Sequence, residues 1–303
     1  MLSLVHQFYA MGSDCAVHLH GRTAKDVERF AAAAEGEIRR IEARYSRYRS
    51  DSELARINKI AATGGVIDID AETAGLIAYA KACFAKSDGA FDVTSGRLRA
   101  VWDFSVARLP DQRSIDAALP FIGLDNLVLT NGRLHFRRPG MELDFGGLGK
   151  EYAADRAAEV CADLGMRHGF IDLGGDIRVV GPQPDGLPWR IGIRHPRDAD
   201  RPAAEIALPS GALATSGDYE RFIEVDGRRY CHILDPKTGW PAHGLSSVTV
   251  ISDRCLVAGS LSTAAMLKGP AGAAWLHGLG VRHLVIDEDG SSCGTEPPLT
   301  RSG

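Results

Sequence analysis

Three clusters of small, hydroxylated and turn-forming residues decide the fold, and they read Ala214-Thr-Ser-Gly-Asp-Tyr-Glu-Arg-Phe222, His232-Ile-Leu-Asp-Pro-Lys-Thr-Gly239 and Leu261-Ser-Thr-Ala264. The runs between them have the composition of strands. This spacing places backbone N–H groups and hydroxyls at strand ends, where they can hold a phosphorylated ligand. The segment therefore predicts a binding site built on short strands and turns.

Outward from this segment, hydrophobic periodicity predicts helices and short strands in alternating groups. Helical spacing covers Lys25–Tyr45, Leu76–Phe84, the stretch that follows Gly149, Val257–Leu267 and Ala271–Leu279. Short alternating runs predict strands at Cys15–Leu19, Asn126–Leu129, Arg133–Phe136, Gly169–Asp172, Arg190–Ile193, Phe222–Val225, Val248–Ile251 and His283–Ile286. Strands interrupted by Gly and Pro turns favour an α+β fold, with mixed, largely antiparallel sheets and flanking helices, over strict βαβ winding.

Composition limits the class of protein. The 303 residues are 45% hydrophobic and 24% charged with a net charge of −4, which is typical of a globular protein and argues against a nucleic-acid-binding surface. No segment has the roughly 18 apolar residues that a membrane span needs, and the first residues lack a signal-peptide pattern. We therefore expect a cytoplasmic protein without a membrane span. The six scattered cysteines favour buried free thiols over disulfides or a zinc site.

A strand, a glycine turn and a helix follow one another between Glu142 and Asp155. Asp144 ends the strand, and Gly147 lies in the turn before the helix. Glycines at a helix N-terminus let a ligand approach the backbone, and Lys150 in the first turn could face an anionic ligand. The alternative is a plain strand-to-helix turn with a solvated lysine.

Two further turns carry candidate polar groups with equally ordinary alternatives. In Gly89–Gly96, Phe91 could stack on a ligand ring beside Asp92, or it could belong to the core while Asp92 caps a turn. Asp172 and Asp176 could bind a metal or transfer protons, or they could only stabilise their own turn.

The hydroxyls and the histidine of the opening segment also have two interpretations each. Ser216 lies in a loop that could hold an anion, or it caps a helix. His232 follows a predicted strand and could contact a proton or a phosphate. Ser262 and Thr263 either bond back to their own helix or present hydroxyls to a ligand. The common nucleotide-binding and metalloprotease motifs GxGxxG, Walker A and HExxH are absent from the sequence.

Five ordered motifs together resemble the ApbE family of FAD:protein FMN transferases. They extend from Met11-Gly-Ser13 through Tyr45-Ser-Arg-Tyr-Arg-Ser-Asp-Ser-Glu-Leu-Ala-Arg-Ile-Asn58 to Leu261-Ser-Thr263, nearly end to end. The resemblance implies a flavin transferase fold and an enzyme that binds FAD and Mg²⁺. Such an enzyme flavinylates a partner protein by moving FMN onto a Thr or Ser hydroxyl, and it releases AMP.

The resemblance also implies roles for individual residues. His232 and Lys150 would be catalytic. Contacts to FAD would come from Met11, Tyr48, Ala90, Phe91, Asp92, Asp144, Lys150 and Ile233. The metal ligands would be Gly147, through its carbonyl, and Thr263, through its hydroxyl, with Ser262 beside them.

One departure from the family pattern concerns the metal. The usual Ala-Asp-x-Leu-Ser-Thr becomes Ala258-Gly-Ser-Leu-Ser-Thr263, so Gly259 stands where an aspartate is expected. Because Mg²⁺ prefers one or two carboxylate ligands, its affinity should fall. Asp176 and Asp253 are candidates to compensate, and Glu151, where the family often has glycine, is expected to be tolerated. Two alternatives follow: a non-catalytic FAD-binding protein, or a metal-dependent FAD pyrophosphatase.

For the domain organisation we expect one FAD-binding catalytic unit over residues 1–289. One arrangement within it would be two lobes with FAD between them. Residues 290–303 are polar and predict a flexible tail.

Overall fold

The computed structural model describes residues 1–198 and 200–296. Its helices are α1 (Ala24–Tyr45), α2 (Glu53–Thr63), α3 (Ala71–Lys86), α4 (Gln112–Ala118), α5 (Gly149–Asp163), α6 (Cys255–Leu267) and α7 (Gly272–Gly278). Its strands are β1 (Leu2–Ala10), β2 (Ser13–Gly21), β3 (Gly65–Asp68), β4 (Leu127–Thr130), β5 (Arg133–Phe136), β6 (His168–Leu173), β7 (Asp176–Gly181), β8 (Trp189–Arg194), β9 (Pro202–Leu208), β10 (Ala212–Gly217), β11 (Phe222–Val225), β12 (Arg228–Cys231), β13 (Leu245–Ser252), β14 (Arg282–Asp287) and β15 (Ser292–Gly294).

Within the described residues, an eight-stranded sheet has the order β1-β2-β6-β7-β10-β13-β14-β15. Every neighbouring pair in it is antiparallel. Smaller antiparallel sheets are formed by β3-β5-β4, by β8-β9 and by β11-β12. The predicted α+β class with largely antiparallel sheets is confirmed.

Helices cover one face of the large sheet. α1 packs on α5, and α6 packs on β10 and β13. α1 buries Val27, Phe30, Ala34, Ile38 and Ile41, which recur at helical spacing, and Thr23 caps its N-terminus by accepting a hydrogen bond from the Asp26 N–H. The hairpin β8-β9 covers the opposite face, where Ile191 and Ile206 join Ile177 and Ile251 of the sheet in a second core.

α5 and α6 approach each other closely because their buried faces carry small residues. α5 buries Ala153, Ala154, Ala157 and Ala158, and α6 buries Ala258, Gly259, Ser262 and Ala265. Short side chains leave room for two backbones to lie near one another. This contact positions the candidate site.

The eight strands and five helices predicted from hydrophobic periodicity are present, with end points that differ by a few residues. The strand predicted to end at Asp144 is wrong, because Glu142 forms an isolated bridge with Ser95 and residues 142–144 form no strand. The loop predicted around Ser216 is wrong, because residues 212–217 form the central strand β10. The start of the segment predicted as a flexible tail also differs: Ser292–Gly294 pairs with β14 at the sheet edge. Residues 297–303 of that segment lie outside the described residues.

Candidate active site

Three hydroxyl groups meet where β10 faces α6, and we call Ser216, Ser262 and Thr263 the hydroxyl cluster. Ser216 Oγ lies 2.8 Å from Ser262 Oγ and 3.0 Å from Thr263 Oγ1. Ser262 Oγ also donates to the Gly259 carbonyl at 2.9 Å, so this hydroxyl does bond back to its own helix. Ser216 therefore does not cap a helix, and its side chain helps to order two neighbouring hydroxyls.

The glycine turn before α5 lies beside the hydroxyl cluster. A Cβ atom added at Gly147 would lie 4.0 Å from Thr263 Cγ2 and 3.3 Å from the Phe91 ring. Glycine at this position lets the backbone of the turn pass close to the Phe91 ring and to Thr263. The structure thus brings Gly147 next to Thr263, a residue more than one hundred positions further along the chain, and so next to the hydroxyl cluster.

Lys150, a half-buried residue in the first turn of α5, forms an ion pair with a buried carboxylate. Its Nζ lies 2.8 Å from Asp176 Oδ2, and the Asp176 side chain is nearly inaccessible to solvent. Burial disfavours the charged ammonium, but the carboxylates of Asp176 and Glu151 outweigh this effect and raise the pKa of Lys150. Lys150 therefore stays cationic, as a contact to an anionic ligand requires.

Glu151 lies against Gly259 of α6. A Cβ atom added at Gly259 would lie 2.6 Å from Glu151 Oε1 and 2.8 Å from Glu151 Cδ. The glycine therefore makes space for this side chain. Burial, followed by repulsion from Asp176, raises the pKa of the Glu151 carboxyl to about 8. Of the compensating carboxylates considered from the sequence, Asp176 pairs with Lys150 and Asp253 is exposed.

His232 directly follows β12. Its Nδ1–H donates to the Arg221 carbonyl at 3.1 Å, because a carbonyl oxygen can only accept. The neutral ring consequently carries its free lone pair on Nε2. Desolvation, with the positive charges of Arg221, Lys150 and Arg47 nearby, lowers the pKa of His232 below its usual value. The imidazole is neutral at pH 7 and can accept a proton through Nε2.

A second group of side chains, which we call the rim cluster, consists of Arg47, Tyr48, Arg99 and Asp144. Asp144 Oδ2 accepts from Arg47 at 2.6 Å and from Arg99 at 3.2 Å. Arg47 also donates to the Tyr48 hydroxyl at 2.9 Å and lies over the Tyr48 ring. Tyr48 remains 76% exposed, so these contacts hold an aromatic face toward solvent.

Most of the other residues predicted to bind FAD are buried in the core or hydrogen-bonded within the protein. Asp92 accepts from the Thr94 N–H at 2.8 Å and from the Thr94 hydroxyl at 2.6 Å, which is the turn-capping alternative. Phe91 and Ile233 belong to the main core, and Ala90 is buried. Met11 has a positive φ of 55°, and its N–H donates to Glu42 Oε1 at 2.6 Å.

A surface pocket of about 390 Å³ lies next to this scaffold, between Gly89, Gly123 and Lys237. Asp92 lines it, whereas Lys150, His232 and Thr263 do not. The pocket is therefore distinct from the site around the hydroxyl cluster.

Some residues around the site were not assigned a role from the sequence. Arg47 and Arg99 were not singled out, although Arg47 belongs to the quoted Tyr45–Asn58 motif. Glu151 was considered a tolerated replacement. Its role depends on contact with Gly259, and no local pattern reports a contact between two helices that are distant in sequence.

Residues 1–198 and 200–296 contain neither a metal-type cluster of side chains nor a membrane-spanning helix. No group of three or more His, Cys, Asp or Glu side chains there has a metal-binding arrangement. No helix in this part of the chain combines the length and apolar character that crossing a membrane demands. The cysteines of this part are free, and Cys15, Cys161, Cys231 and Cys255 are buried.

Comparison with known proteins gives a consistent result. The model of the ApbE family matches residues 11–284. A FAD:protein FMN transferase of Haemophilus influenzae is 31% identical over 78% of this chain and 71% of that protein, and one of Vibrio cholerae is 34% identical over 74% and 69%. The crystal structure of the ApbE protein of Thermotoga maritima superimposes with a TM-score of 0.89, at 34% identity and 97% coverage of both chains. The apo flavinyl transferase ApbE of Pseudomonas stutzeri has a TM-score of 0.85, with 33% identity, 97% coverage of this chain and 95% of that one.

Proposed function

The chain belongs to the ApbE family, and on that premise we propose that it is a FAD:protein FMN transferase. The hydroxyl oxygen of a Thr or Ser on an acceptor flavoprotein attacks the phosphorus of the FMN half of FAD. A P–O bond forms, the P–O bond to the AMP half breaks, and AMP leaves. The hydroxyl proton passes to a base.

The observation that carries this proposal is the contact of the glycine turn at Gly147 with Thr263, directly before the cationic Lys150 in the first turn of α5. Attack on a pyrophosphate requires positioning and neutralisation of negative charge on the phosphoryl oxygens. A helix N-terminus with an accessible backbone and a lysine supplies both. Lys150 would contact the phosphates while Asp176 fixes its position.

His232 would act on the acceptor hydroxyl. Its Nδ1–H is held by the Arg221 carbonyl, so Nε2 is the atom that accepts the proton. The lowered pKa keeps this nitrogen unprotonated at neutral pH. His232 and Lys150 are close enough for their charges to interact, as expected if both serve one pair of phosphates.

Oxygen donors around the hydroxyl cluster fit a hard divalent cation such as Mg²⁺. The Gly147 carbonyl and the Thr263 hydroxyl would hold it, with Ser262 beside them, and the buried oxygen Glu151 Oε2 has no hydrogen-bond partner among the described residues. When bound, Mg²⁺ supplies positive charge next to the reacting phosphates.

The remaining FAD contacts are proposed at the residues that the resemblance to the ApbE family implies. Tyr48 and Asp144 of the rim cluster would bind an aromatic and a polar part of FAD. Met11, Ala90, Phe91, Asp92 and Ile233 would shape the wall behind it. A single catalytic unit over residues 1–289 and a cytoplasmic location also stay predictions, and limited proteolysis and cell fractionation would test them.

The test is a flavinylation assay. The protein is mixed with FAD, Mg²⁺ and candidate acceptor proteins, and a denaturing gel is inspected for flavin fluorescence. We expect a fluorescent acceptor band, which EDTA abolishes and which is weakened in Lys150→Met. Release of FMN and AMP without an acceptor would indicate a pyrophosphatase instead. Bound FAD with neither product would indicate a non-catalytic binding protein.

A further inference from the structure

Glu151 is the described carboxylate whose place in the fold is least explained by its own contacts. The residue is 6% exposed, and its Oε2 has no hydrogen-bond partner among the described residues. Leaving a carboxylate oxygen buried and unpaired is costly unless another group compensates it. The described part of the polypeptide therefore provides no hydrogen-bond partner for this oxygen, and a bound ligand could provide one.

Glu151 packs against α6, the helix that also carries Ser262 and Thr263 of the hydroxyl cluster. Its carboxyl group occupies the space that a side chain at Gly259 would fill. Residues 259 and 263 are one helical turn apart and lie on the same face of α6. The Glu151 carboxyl is thus held over the helical turn next to Thr263.

The charges nearby favour a cation. Glu151 and Asp176 are both buried carboxylates, and the ammonium of Lys150 pairs with Asp176. One buried negative charge is in excess when both carboxylates are ionised. A divalent cation would compensate that charge and complete the oxygen donors of the hydroxyl cluster.

We propose that Glu151 donates the carboxylate ligand to the divalent cation at Thr263 and Gly147, from the space that Gly259 leaves open. This inference rests on the proposed function, since the cation serves the transfer reaction. It assigns a ligand to α5 where the resemblance implied an aspartate on α6. The absence of a metal-type cluster of His, Cys, Asp and Glu among the described residues is consistent with it, because hydroxyls and a carbonyl provide the other ligands.

The experiment measures metal binding directly. The protein with bound FAD, in the absence of acceptor, is titrated with Mn²⁺, and free Mn²⁺ is followed by electron paramagnetic resonance. We expect Glu151→Gln, which keeps the shape of the side chain, to weaken Mn²⁺ binding by at least about tenfold. The exposed glutamate Glu28 of α1 provides the matched control, and Glu28→Gln should leave the affinity unchanged.

An exchange variant, Glu151→Gly with Gly259→Asp, places a carboxylate in the same space from the other helix. We expect it to bind Mn²⁺ within a few-fold of the wild type. If Glu151→Gln does not fold, the exchange variant decides: retained affinity supports the proposal and lost affinity overturns it. Wild-type affinity in a folded Glu151→Gln overturns it as well, as does a wild type that binds no Mn²⁺ beyond that held by free FAD.

Flavinylation is measured separately on the same samples. Mn²⁺ binding that depends on Glu151 without any flavinylated acceptor would contradict the proposed function and leave the metal ligand in place. Flavinylation that requires Mg²⁺, with Mn²⁺ binding indifferent to Glu151→Gln, would contradict the ligand and leave the function in place.

Discussion

The rim cluster and the α5–α6 contact differ in how their carboxylates are paired and exposed. In the rim cluster, Asp144 is hydrogen-bonded by two arginines, and Tyr48 lies in solvent beside them. Between α5 and α6, Glu151 is buried with an unpaired oxygen. A charge at the surface is screened and easily paired, whereas a buried charge demands a specific partner. The buried contact is thus where a missing ligand would have the larger effect.

The largest expected effect lies between these two regions, at His232. Replacing the proton acceptor by Gln in His232→Gln should lower the rate of flavin transfer by about 10²- to 10⁴-fold. Single-turnover kinetics with FAD bound would measure it. An unchanged rate would show that His232 does not take part in the transfer reaction.

The same residue predicts a pH dependence. Because desolvation lowers the pKa of His232, the ring is neutral above its usual value of about 6.5 and becomes protonated only at lower pH. Transfer should therefore be constant above that pH and fall as the pH drops through the lowered pKa. The stability contribution has the same sign, since the unfolded state binds this proton more tightly. A pH profile of kcat/KM, compared with that of His232→Gln, would test this limb.

The third prediction concerns the ion pair between Lys150 and the buried Asp176. Lys150→Met leaves Asp176 uncompensated, and breaking a buried pair from one side costs about 3–5 kcal/mol. Urea unfolding would show this loss of stability. Lys59→Met, at an exposed lysine of α2, should change stability by less than about 0.5 kcal/mol. Equal effects in the two variants would contradict the distinction between buried and exposed charge.

The fourth prediction tests the packing of Glu151 on Gly259. In Gly259→Ala the new methyl group meets the Glu151 side chain, and the overpacking should cost about 1–3 kcal/mol. Glu151→Ala in the same chain should relieve most of this cost, as a double-mutant cycle would measure. Gly36→Ala in α1, where nothing lies near the added methyl, should be neutral or stabilising by up to about 1 kcal/mol. The same collision predicts that Gly259→Asp alone impairs the site unless Glu151 is removed.

The smallest effect is expected in the rim cluster. Tyr48→Ala should leave the free energy of unfolding within about 0.5 kcal/mol of the wild type, because the ring is exposed. It should weaken FAD binding by about three- to tenfold if the ring stacks on FAD. Fluorescence titration would measure this, with Tyr9→Ala at the exposed Tyr9 as control. A loss of stability without a loss of FAD affinity would show that Tyr48 supports the fold and does not bind FAD.

Elements with strong local periodicity were predictable from the sequence. α1 and the strand pairs around β5 and β8 have regular spacing of apolar residues, and burial follows that spacing. β10 was missed because four of the six residues of Ala212–Gly217 are Ala, Ser or Gly, which have low strand propensity. Its six pairings with β13 impose the extended conformation. α2 was missed as well, although Leu54, Ile57 and Ala61 have helical spacing after Ser52, which caps the helix.

Some residues of the candidate site could also be proposed from the sequence. Gly147, Lys150, His232 and Thr263 stand out because turn glycines, a charge at a helix start and hydroxyl pairs are local signals. The ordinary alternative for Asp92 describes its turn, and the hydrogen bonds to Thr94 explain why. The arginines of the rim cluster were not predictable, because arginine is common in this sequence and its partner Asp144 is distant along the chain.

By itself, the sequence determined the family and the α+β class, because these follow from ordered motifs and local spacing. Only the tertiary structure decided what Gly259 means. Read along the chain, it is a lost carboxylate. In the fold, the same glycine gives room to the carboxyl group of Glu151, because two helices with small side chains bring their backbones close together.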